Sequence, residues 1–502
     1  MTMAEKPPGE STAQPGRDVP RPGREAPSPD GGAFPGTRAV TTADPAGEPG
    51  NAAAPDADGK GAPGAEGKGG PDADGKGAPG ADAAPEKPLL RNGNFQALWT
   101  SEAFAALAKE TAEVAYPLLI ISSTGSAFYA GAVGSAQLIT ASVMSIVGGS
   151  LADRIDRKLL LIGCNLVRVV LLGLFALLIT TGHANTFVIF ATAVGSAAAL
   201  GVSNPTGLAV IKQLVPPSQL TQATAQNQVR YFAATMGGPP VGGALFAVAR
   251  AFPFLSAAIA FLVSSLLMLF IRKPLKVESP EPGEKRNAAE GFRFLARQPV
   301  LRLLIIWIMG SNMAFTHTGV FLALIATAES RGASPSFIGM LLSIAGIGGL
   351  VGSLLASPII KWASPPVIFL TAAWIGPVAA VLLANVSGLV PLGIIVACVF
   401  LRGPITSALF LAYLAAIAPD KVQGRVLGAV MFMSMIAAPA GVFGVGAIFD
   451  LSGSTWVFTT MAVISGLAAL PTLSPRIRKL VPPEEYAATA TAPVADSTHQ
   501  EK

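Results

Sequence analysis

The chain has 502 residues, of which 51% are hydrophobic and only 13% are charged, against roughly 25% charged residues in soluble domains. Two cysteines and three histidines are too few for a disulfide framework or a metal cluster, so we expect no metal, no cofactor and no enzymatic chemistry. Residues 1–88 hold 9 basic and 14 acidic side chains, and the remainder hold 26 and 16. Because the basic residues of the remainder lie in short loops, nucleic acid is not an expected partner.

The N-terminal segment lacks the composition of a folded domain. Residues 1–88 contain no Leu, Ile, Tyr or Trp, and 33 of them are Pro or Gly. Such a segment buries too little apolar surface to offset the entropy lost on ordering. We predict a disordered cytoplasmic tail over 1–90 and a second tail over 475–502.

Twelve apolar runs follow in series, separated by short polar breaks. About 20 residues are needed to cross the hydrocarbon layer, and each run is long enough. Helices satisfy their own backbone polar groups in lipid, so we predict an all-α membrane protein with 12 transmembrane helices. The runs lie at 95–121, 128–150, 159–181, 186–212, 221–248, 253–271, 300–326, 335–358, 366–385, 389–417, 425–448 and 454–473.

The loop charges predict the orientation. One side carries 18 Lys and Arg residues, whereas the other carries only Arg250 and Arg331. The positive-inside rule therefore predicts two cytoplasmic termini in the cell membrane. The long cytoplasmic linker at 272–299 separates two six-helix bundles, at 91–271 and 300–474.

The two bundles are similar in sequence. Residues 125–131 parallel 333–339, and Asn204-Pro205 in the fourth run parallels Gly403-Pro404 in the tenth. The offset stays near 200 residues, which is typical of transporters built from repeats around a central path. We expect helix breaks at these two prolines and a binding region beside them.

The sharpest motif joins the second and third runs at 149–158, Gly-Ser-Leu-Ala-Asp-Arg-Ile-Asp-Arg-Lys. It resembles the cytoplasmic signature of the major facilitator superfamily, with Asp156 in place of the second Gly. The resemblance implies two pseudo-symmetric six-helix bundles and a latch that holds this loop against the eleventh helix. Its positions here are Gly149, Asp153, Arg154, Arg157 and Lys158.

A second motif occupies the fifth run, and its key positions are Gly238, Pro239, Gly242 and Gly243. It resembles the G-P-x-x-G-G element of exporters in this superfamily, although close helix packing alone would also explain the glycines. Short stretches between 92 and 474 are similar to the drug:proton antiporter branch that includes macrolide-efflux and enterobactin-exporter proteins. Together they imply export.

Three charged residues stand near the middle of the first run. Ionisable groups there cost about 2.5–3.5 kcal/mol each on insertion and suggest a function. Lys109 and Glu113 are four apart and share a helix face, so we expect them to pair, whereas Glu110 lies on another face without that partner. The family resemblance makes Glu110 and Glu113 proton-coupling candidates together with Lys109. A static ion pair is the alternative.

The family resemblance also implies that the first, fourth, seventh and tenth helices line a central cavity. Arg402, Asn204 and His317 are the substrate-cavity candidates there. We expect Arg402 to contact substrate or a carboxylate of the first run; capping of helix ends is the alternative role.

These observations predict a monomeric secondary transporter that exports an amphiphilic small molecule in exchange for protons by alternating access. No nucleotide-binding fingerprint occurs in the chain, which argues against ATP as the energy source. A lipid or lysophospholipid translocator of the same fold is the alternative. A membrane sensor or scaffold without transport is a further one.

Overall fold

The computed structural model describes residues 88–275 and 288–485. Most of both predicted tails, and residues 276–287 of the linker, lie outside these ranges. Within the described residues the chain forms sixteen α-helices and no strand. Large apolar side chains such as Leu159, Val170 and Leu177 of α3 are exposed on the outside, as expected for a surface that faces lipid.

The first half contains six long helices. Asn92 accepts a hydrogen bond from Phe95 N and caps the first of them, and Gly125 ends it with a φ of 68°, a conformation that favours glycine. The helices are α1 (Gly93–Thr124), α2 (Ala127–Ala152), α3 (Arg157–Thr180), α4 (Thr186–Leu214), α5 (Leu220–Val248) and α6 (Phe252–Leu269).

The second half begins with a helix inside the predicted linker, α7 (Ala288–Arg297). An ion pair of 2.5 Å joins Glu290 of this helix to Arg425. The helices that follow are α8 (Pro299–Phe315), α9 (His317–Ser330), α10 (Pro335–Trp362), α11 (Pro365–Asn385), α12 (Leu389–Ile417), α13 (Asp420–Met435), α14 (Ala438–Ser452), α15 (Ser454–Ala469) and the short α16 (Pro475–Arg478).

The helix breaks fall elsewhere than expected. Helices α4 and α12 run uninterrupted through Pro205 and Pro404, so the breaks predicted there are wrong. Instead the seventh run divides at Thr316, whose backbone is extended. The eleventh divides before Pro439, because proline lacks an N–H and clashes with the carbonyl four residues earlier.

Ten of the described helices or broken helix pairs are long and apolar enough to cross a membrane. Helices α1 and α5 are not among them, although they have 32 and 29 residues. Charged and polar side chains account for this, among them Glu102, Lys109 and Glu110 of α1 and Asn227 and Arg230 of α5. Both helices turn these side chains towards a cavity.

The two halves meet at two crossings built on glycine. Helix α5 packs on α10, where a Cβ added to Gly243 would lie 2.3 Å from Pro335 O and 3.1 Å from Gly339 Cα. Helix α2 packs on α14, where a Cβ on Gly446 would lie 2.3 Å from Ala127 O and 3.0 Å from Gly131 Cα. The same offset of about 200 residues relates the two crossings. The sequence repeat therefore corresponds to a repeated helix contact.

Among the described residues, the core that packs the two halves together lies towards one end of the helices. We call the end where α1 begins and α6 ends the linker face, and the end with the turns at Gly125 and Gly453 the hairpin face. Near the hairpin face a single core includes Val114 of α1, Phe321 of α9 and Val442 of α14. Towards the linker face the core divides into one cluster for each half. The structure therefore closes on the hairpin side and opens on the linker side.

Candidate functional site

A cavity of about 400 Å³ lies in the linker-face part of the first half, between α1, α3, α4 and α5. This volume is in the range of pockets that bind drug-sized ligands. Its apolar wall includes Phe95, Leu98, Trp99 and Leu208. Its polar wall consists of Glu102, Lys109, Glu110, Asn165, Arg168, Ser203, Asn204, Asn227, Arg230 and Tyr231.

Two arginines of this wall are held differently. Arg230 Nη1 donates to Glu102 Oε2 at 3.2 Å, so the charges of this pair cancel. Arg168 Nη2 donates to Ser203 Oγ at 3.1 Å, and its guanidinium lies over the Phe261 ring at 4.9 Å. Arg168 is 3% exposed, and its contacts fix α3 against α4 and α6.

The deep end of the cavity holds the charged residues of α1. Lys109 Nζ lies 2.8 Å from Glu110 Oε1 and 2.9 Å from Glu113 Oε2. The predicted pairing of Lys109 with Glu113 is confirmed. The expectation that Glu110 lacks this partner is wrong, because the long lysine side chain reaches both carboxylates at once.

The second half contributes two side chains to the same cluster, from the first turn of α9. Thr318 Oγ1 donates to Glu113 Oε1 at 3.0 Å. His317 Nδ1 lies 3.9 Å from Glu113 Oε1, and His317 Nε2 lies 4.0 Å from Glu110 Oε2. The break at Thr316 places this turn beside α1, so an acid–base cluster bridges the two halves.

The exporter motif of α5 packs against α1 where α1 carries the charged cluster. A Cβ added to Gly238 would lie 2.3 Å from Glu110 Cβ, and one on Gly242 would lie 2.8 Å from Thr111 O. These glycines let α5 approach α1 closely and hold Glu110, which is 3% exposed. Pro239 O meanwhile contacts Gly339 of α10. One motif therefore packs α5 against both halves.

A second, smaller cavity of about 20 Å³ lies on the hairpin side of the cluster, which is room for one water molecule. Glu113 and Thr318 line this cavity, whereas Lys109 and Glu110 line the large one. The cluster therefore separates two spaces, and each carboxylate belongs to a different one.

The three substrate-cavity candidates occupy three different places. Asn204 lines the large cavity, whereas His317 belongs to the cluster. Arg402 is buried inside the second half, where it donates to Ala372 O at 3.1 Å and to Ser311 Oγ at 2.8 Å. These bonds explain its burial and differ from the expected contact with a carboxylate of the first run.

The signature motif at 149–158 forms the turn between α2 and α3. Arg157 Nε donates to Ala152 O at 3.2 Å, and its Nη2 lies 4.0 Å from Asp153 Oδ1. Lys158 Nζ donates to Ile271 O at 2.8 Å, which ties the turn to the end of α6. Arg154 is exposed.

The departure from the signature at Asp156 has a local explanation. Its carboxylate accepts hydrogen bonds from Lys158 N at 2.8 Å and Leu159 N at 3.2 Å, which makes it the N-cap of α3. A Cβ on Gly149 would meet open space, whereas one on Gly148 would lie 2.6 Å from Val202 Cα. Gly148 is therefore the glycine that packs here.

Glu110, Glu113 and His317 offer ligand atoms within 4.8 Å of one another, a spacing that could hold a metal ion. The Lys109 ammonium already lies within 3 Å of both carboxylates and supplies the positive charge a metal would bring.

Sequence reasoning missed three contributors to the site: Glu102, Tyr231 and Thr318. Glu102 precedes Lys109 by seven residues, two helical turns, so the spacing alone could have placed it on the same face. The other two lie on α5 and α9, and only the tertiary packing brings them to α1.

A cavity between helices, a buried charged cluster and two repeated halves define a multi-pass membrane transporter. The sequence profile of the Major Facilitator Superfamily matches residues 98–442. The chain belongs to this superfamily, as the motif at 149–158 predicted.

Two relatives and two solved structures extend the comparison. The chain is 23% identical over 385 residues to the multidrug efflux pump Tap of Mycolicibacterium fortuitum, covering 73% of this chain and 92% of Tap. It is 21% identical over 410 residues to the uncharacterized transporter YfiS of Bacillus subtilis (strain 168), covering 77% and 94%.

Among solved structures, the nucleoside transporter NupG matches with a TM-score of 0.62 at 14% identity, covering 77% of this chain and 99% of NupG. A bacterial homologue of the iron transporter ferroportin in its inward-facing state matches with a TM-score of 0.60 at 15% identity, covering 78% and 100%. At these identities the likeness establishes the fold.

Proposed function

We propose that this chain is a secondary active transporter of the cell membrane that exports an amphiphilic small molecule in exchange for protons. The observation that carries the proposal is the Lys109–Glu110–Glu113 cluster between two cavities, one of them large enough for a ligand. A carboxylate can bind and release a proton, and Glu110 lies in the wall of the large cavity, where a bound ligand would meet it.

The direction of transport rests on two further observations. The linker face carries the excess of basic residues, so we assign it to the cytoplasm, with both termini there. The large cavity opens to that side and would load substrate from the cytoplasm or the inner leaflet. The similarity to the multidrug efflux pump Tap and the exporter motif in α5 support export.

Substrate and proton would be exchanged because both bind in the region of the Lys109–Glu110–Glu113 cluster. Substrate in the large cavity contacts the wall that contains Lys109 and Glu110, so its binding changes the surroundings of both carboxylates. Each occupancy then favours one access state, and a proton gradient drives the cycle by differential affinity for the two states. The apolar wall around Trp99 would hold the body of an amphiphile.

The proposal predicts that Glu113→Gln and Glu110→Gln each abolish proton-driven export while the protein still reaches the membrane. Glutamine keeps the size and shape of the side chain and one acceptor oxygen, but it carries no charge and cannot exchange a proton. Efflux of ethidium is measured in vesicles with an imposed pH gradient. Glu484→Gln, at an exposed carboxylate near the C-terminus, is the matched control and keeps wild-type efflux.

A susceptibility panel in an efflux-deficient host, with collapse of the proton gradient as its control, widens the search for substrates. Full export by the double Gln variant would reject coupling through these carboxylates. Movement of labelled lipid between leaflets, without export of any compound in the panel, would assign the fold to lipid translocation instead.

A further inference from the structure

The seventh apolar run breaks one residue before the half-buried His317. The turn that follows the break faces the two glutamates of α1. Thr316 has an extended backbone, α9 begins at His317, and the side chains of His317 and Thr318 both reach α1. The two halves therefore touch through groups that bind protons, at the level where the core divides.

Two polar atoms of this contact are left without a hydrogen-bond partner. They are Glu110 Oε2 and His317 Nε2, both buried and 4.0 Å apart. A buried polar atom without a partner costs free energy, and one proton shared between these two atoms would satisfy both. An approach of about 1 Å would bring them to normal hydrogen-bond distance.

The imidazole is held in place by aromatic rings of the second half. Its ring centroid lies 3.9 Å from that of Phe321 and 6.0 Å from that of Phe400. Contact with these rings restricts the orientation of the imidazole plane. The imidazole is therefore pre-oriented towards the two carboxylates.

The formal charge of the cluster favours the uptake of one proton. Two carboxylates and one ammonium leave a single negative charge while His317 is neutral, and one proton brings the total to zero. Tyr231 of α5 also lies near these charges, and the Glu102–Arg230 pair lines the same cavity. A neutral cluster is the less costly one to bury between two apolar halves.

From these contacts we infer that His317 is the second half's share of the proton site, and that a proton held between His317 and Glu110 clamps α9 to α1. The inference rests on the proposed proton exchange and adds that proton binding controls which face of the protein is closed. The proton binds from the hairpin face and stabilises closure there, so the large cavity opens to the linker face. Release of the proton removes the clamp and lets the hairpin face separate.

The test follows closure of the hairpin face directly. Phe128 and Phe443 lie across the crossing of α2 and α14 with ring centroids 5.3 Å apart. Cysteines at these two positions, in a background with Cys164→Ser and Cys398→Ser, report closure by oxidative crosslinking of the full chain in lipid vesicles between pH 5 and 8.5. We expect the crosslinking yield to fall as pH rises, and His317→Gln to remove this dependence.

His183→Gln is the matched control, because His183 is exposed in the turn between α3 and α4; it keeps the wild-type profile. If His317→Gln does not fold, Glu110→Gln approaches the same proton from the other half and is expected to give the same flat profile. A wild-type pH profile in either folded variant overturns the inference.

Ethidium export in the same vesicles separates the two proposals. Proton-driven export by the wild type, with an unchanged crosslinking profile in His317→Gln, rejects the clamp and leaves the proposed function intact. A crosslinking profile that depends on His317, without proton-driven transport of any compound in the panel, supports the clamp and rejects the proposed function.

Discussion

Lys109 pairs with two carboxylates at the midpoint of α1. Its ammonium lies within 3 Å of both, and the side chain is 33% exposed towards the cavity. Each charge in a span costs about 2.5–3.5 kcal/mol on insertion, and the shared cation offsets part of the cost for Glu110 and Glu113. The stability of this region therefore depends on one residue more than on its neighbours.

We predict that Lys109→Met lowers the free energy of unfolding by about 3–5 kcal/mol, because it leaves the buried Glu110 and the half-buried Glu113 as like charges without this counterion. Thermal unfolding of the detergent-solubilised protein measures the loss. Lys109→Met combined with Glu113→Gln should recover part of it. Lys361→Met, at an exposed lysine, is the control, and equal stability of Lys109→Met and wild type would contradict the argument.

At the scale of single residues, the sequence predicts contacts between side chains one helical turn apart on the same helix. The pair of Lys109 with Glu113 follows from a separation of four residues on one helix. The contact of Glu110 with the same lysine, and the place of His317 beside both, depend on how α5 and α9 cross α1. No spacing along the chain carries that information.

Among the helices, the two glycine crossings decide how closely the halves approach. At both crossings a glycine faces a backbone oxygen and the Cα of a second glycine. Backbone atoms cannot move aside as side chains do, so these positions tolerate no added carbon. Neighbouring glycines such as Gly237 face open space and carry no such restriction.

We predict that Gly243→Ala separates α5 from α10 and destabilises the protein by about 1–3 kcal/mol, the usual cost of overpacking. Gly237→Ala on the same helix is the matched control; it keeps or slightly raises stability, because alanine favours a helix more than glycine does. Thermal unfolding in detergent compares the two. An equal effect of both substitutions would rule out close packing at Gly243 as the cause.

The helices themselves were largely predictable, because apolar runs of 20 residues in lipid have few alternatives to an α-helix. The breaks were not. Helices α4 and α12 continue through Pro205 and Pro404, whereas the eleventh run breaks before Pro439, so a proline in a span does not by itself predict a break. Neither neighbour of Thr316 is a proline or a glycine, so no local signal predicts this break.

At the scale of the whole molecule, one carboxylate ties the halves together at the hairpin face. Asp450 of α14 accepts hydrogen bonds from Ala127 N at 2.8 Å and Phe128 N at 3.0 Å, and from Ser126 Oγ. It caps the N-terminus of α2 from the opposite half, where a negative charge is favoured by the helix dipole. Opening of the hairpin face breaks these bonds.

We predict that Asp450→Asn shifts the molecule towards a state open at the hairpin face, since the charge that caps α2 is lost. Gln137→Cys, in the wall of the small cavity, would then react several-fold faster with a membrane-impermeant thiol reagent added from that side. Cys398→Ser removes the exposed native thiol.

Asp156→Asn is the matched control for this prediction. Asp156 caps α3 within one half, so its loss costs stability without changing access to the small cavity. Equal labelling of the Asp450→Asn and Asp156→Asn proteins would show that the cap on α2 does not hold the halves together.

The arrangement of two halves was predictable from the repeat and from the motif at 149–158, and the family match bears it out. The side on which the halves stay joined was not predictable. It depends on which helices of the two halves pack against each other at each face, and contacts this far apart along the chain leave no local pattern in the sequence.

The polarity of α1 and α5 has a consequence for how the protein is made. Helix α1 leaves the ribosome first, with four charged side chains and no partner to shield them. The glycine surface of α5 that packs against Glu110 and Thr111 is synthesised only after three more helices. We therefore expect α1 to stay at the translocon or bound to an insertase until α5 has been synthesised. The more apolar helices of this half would then enter the lipid before α1 does.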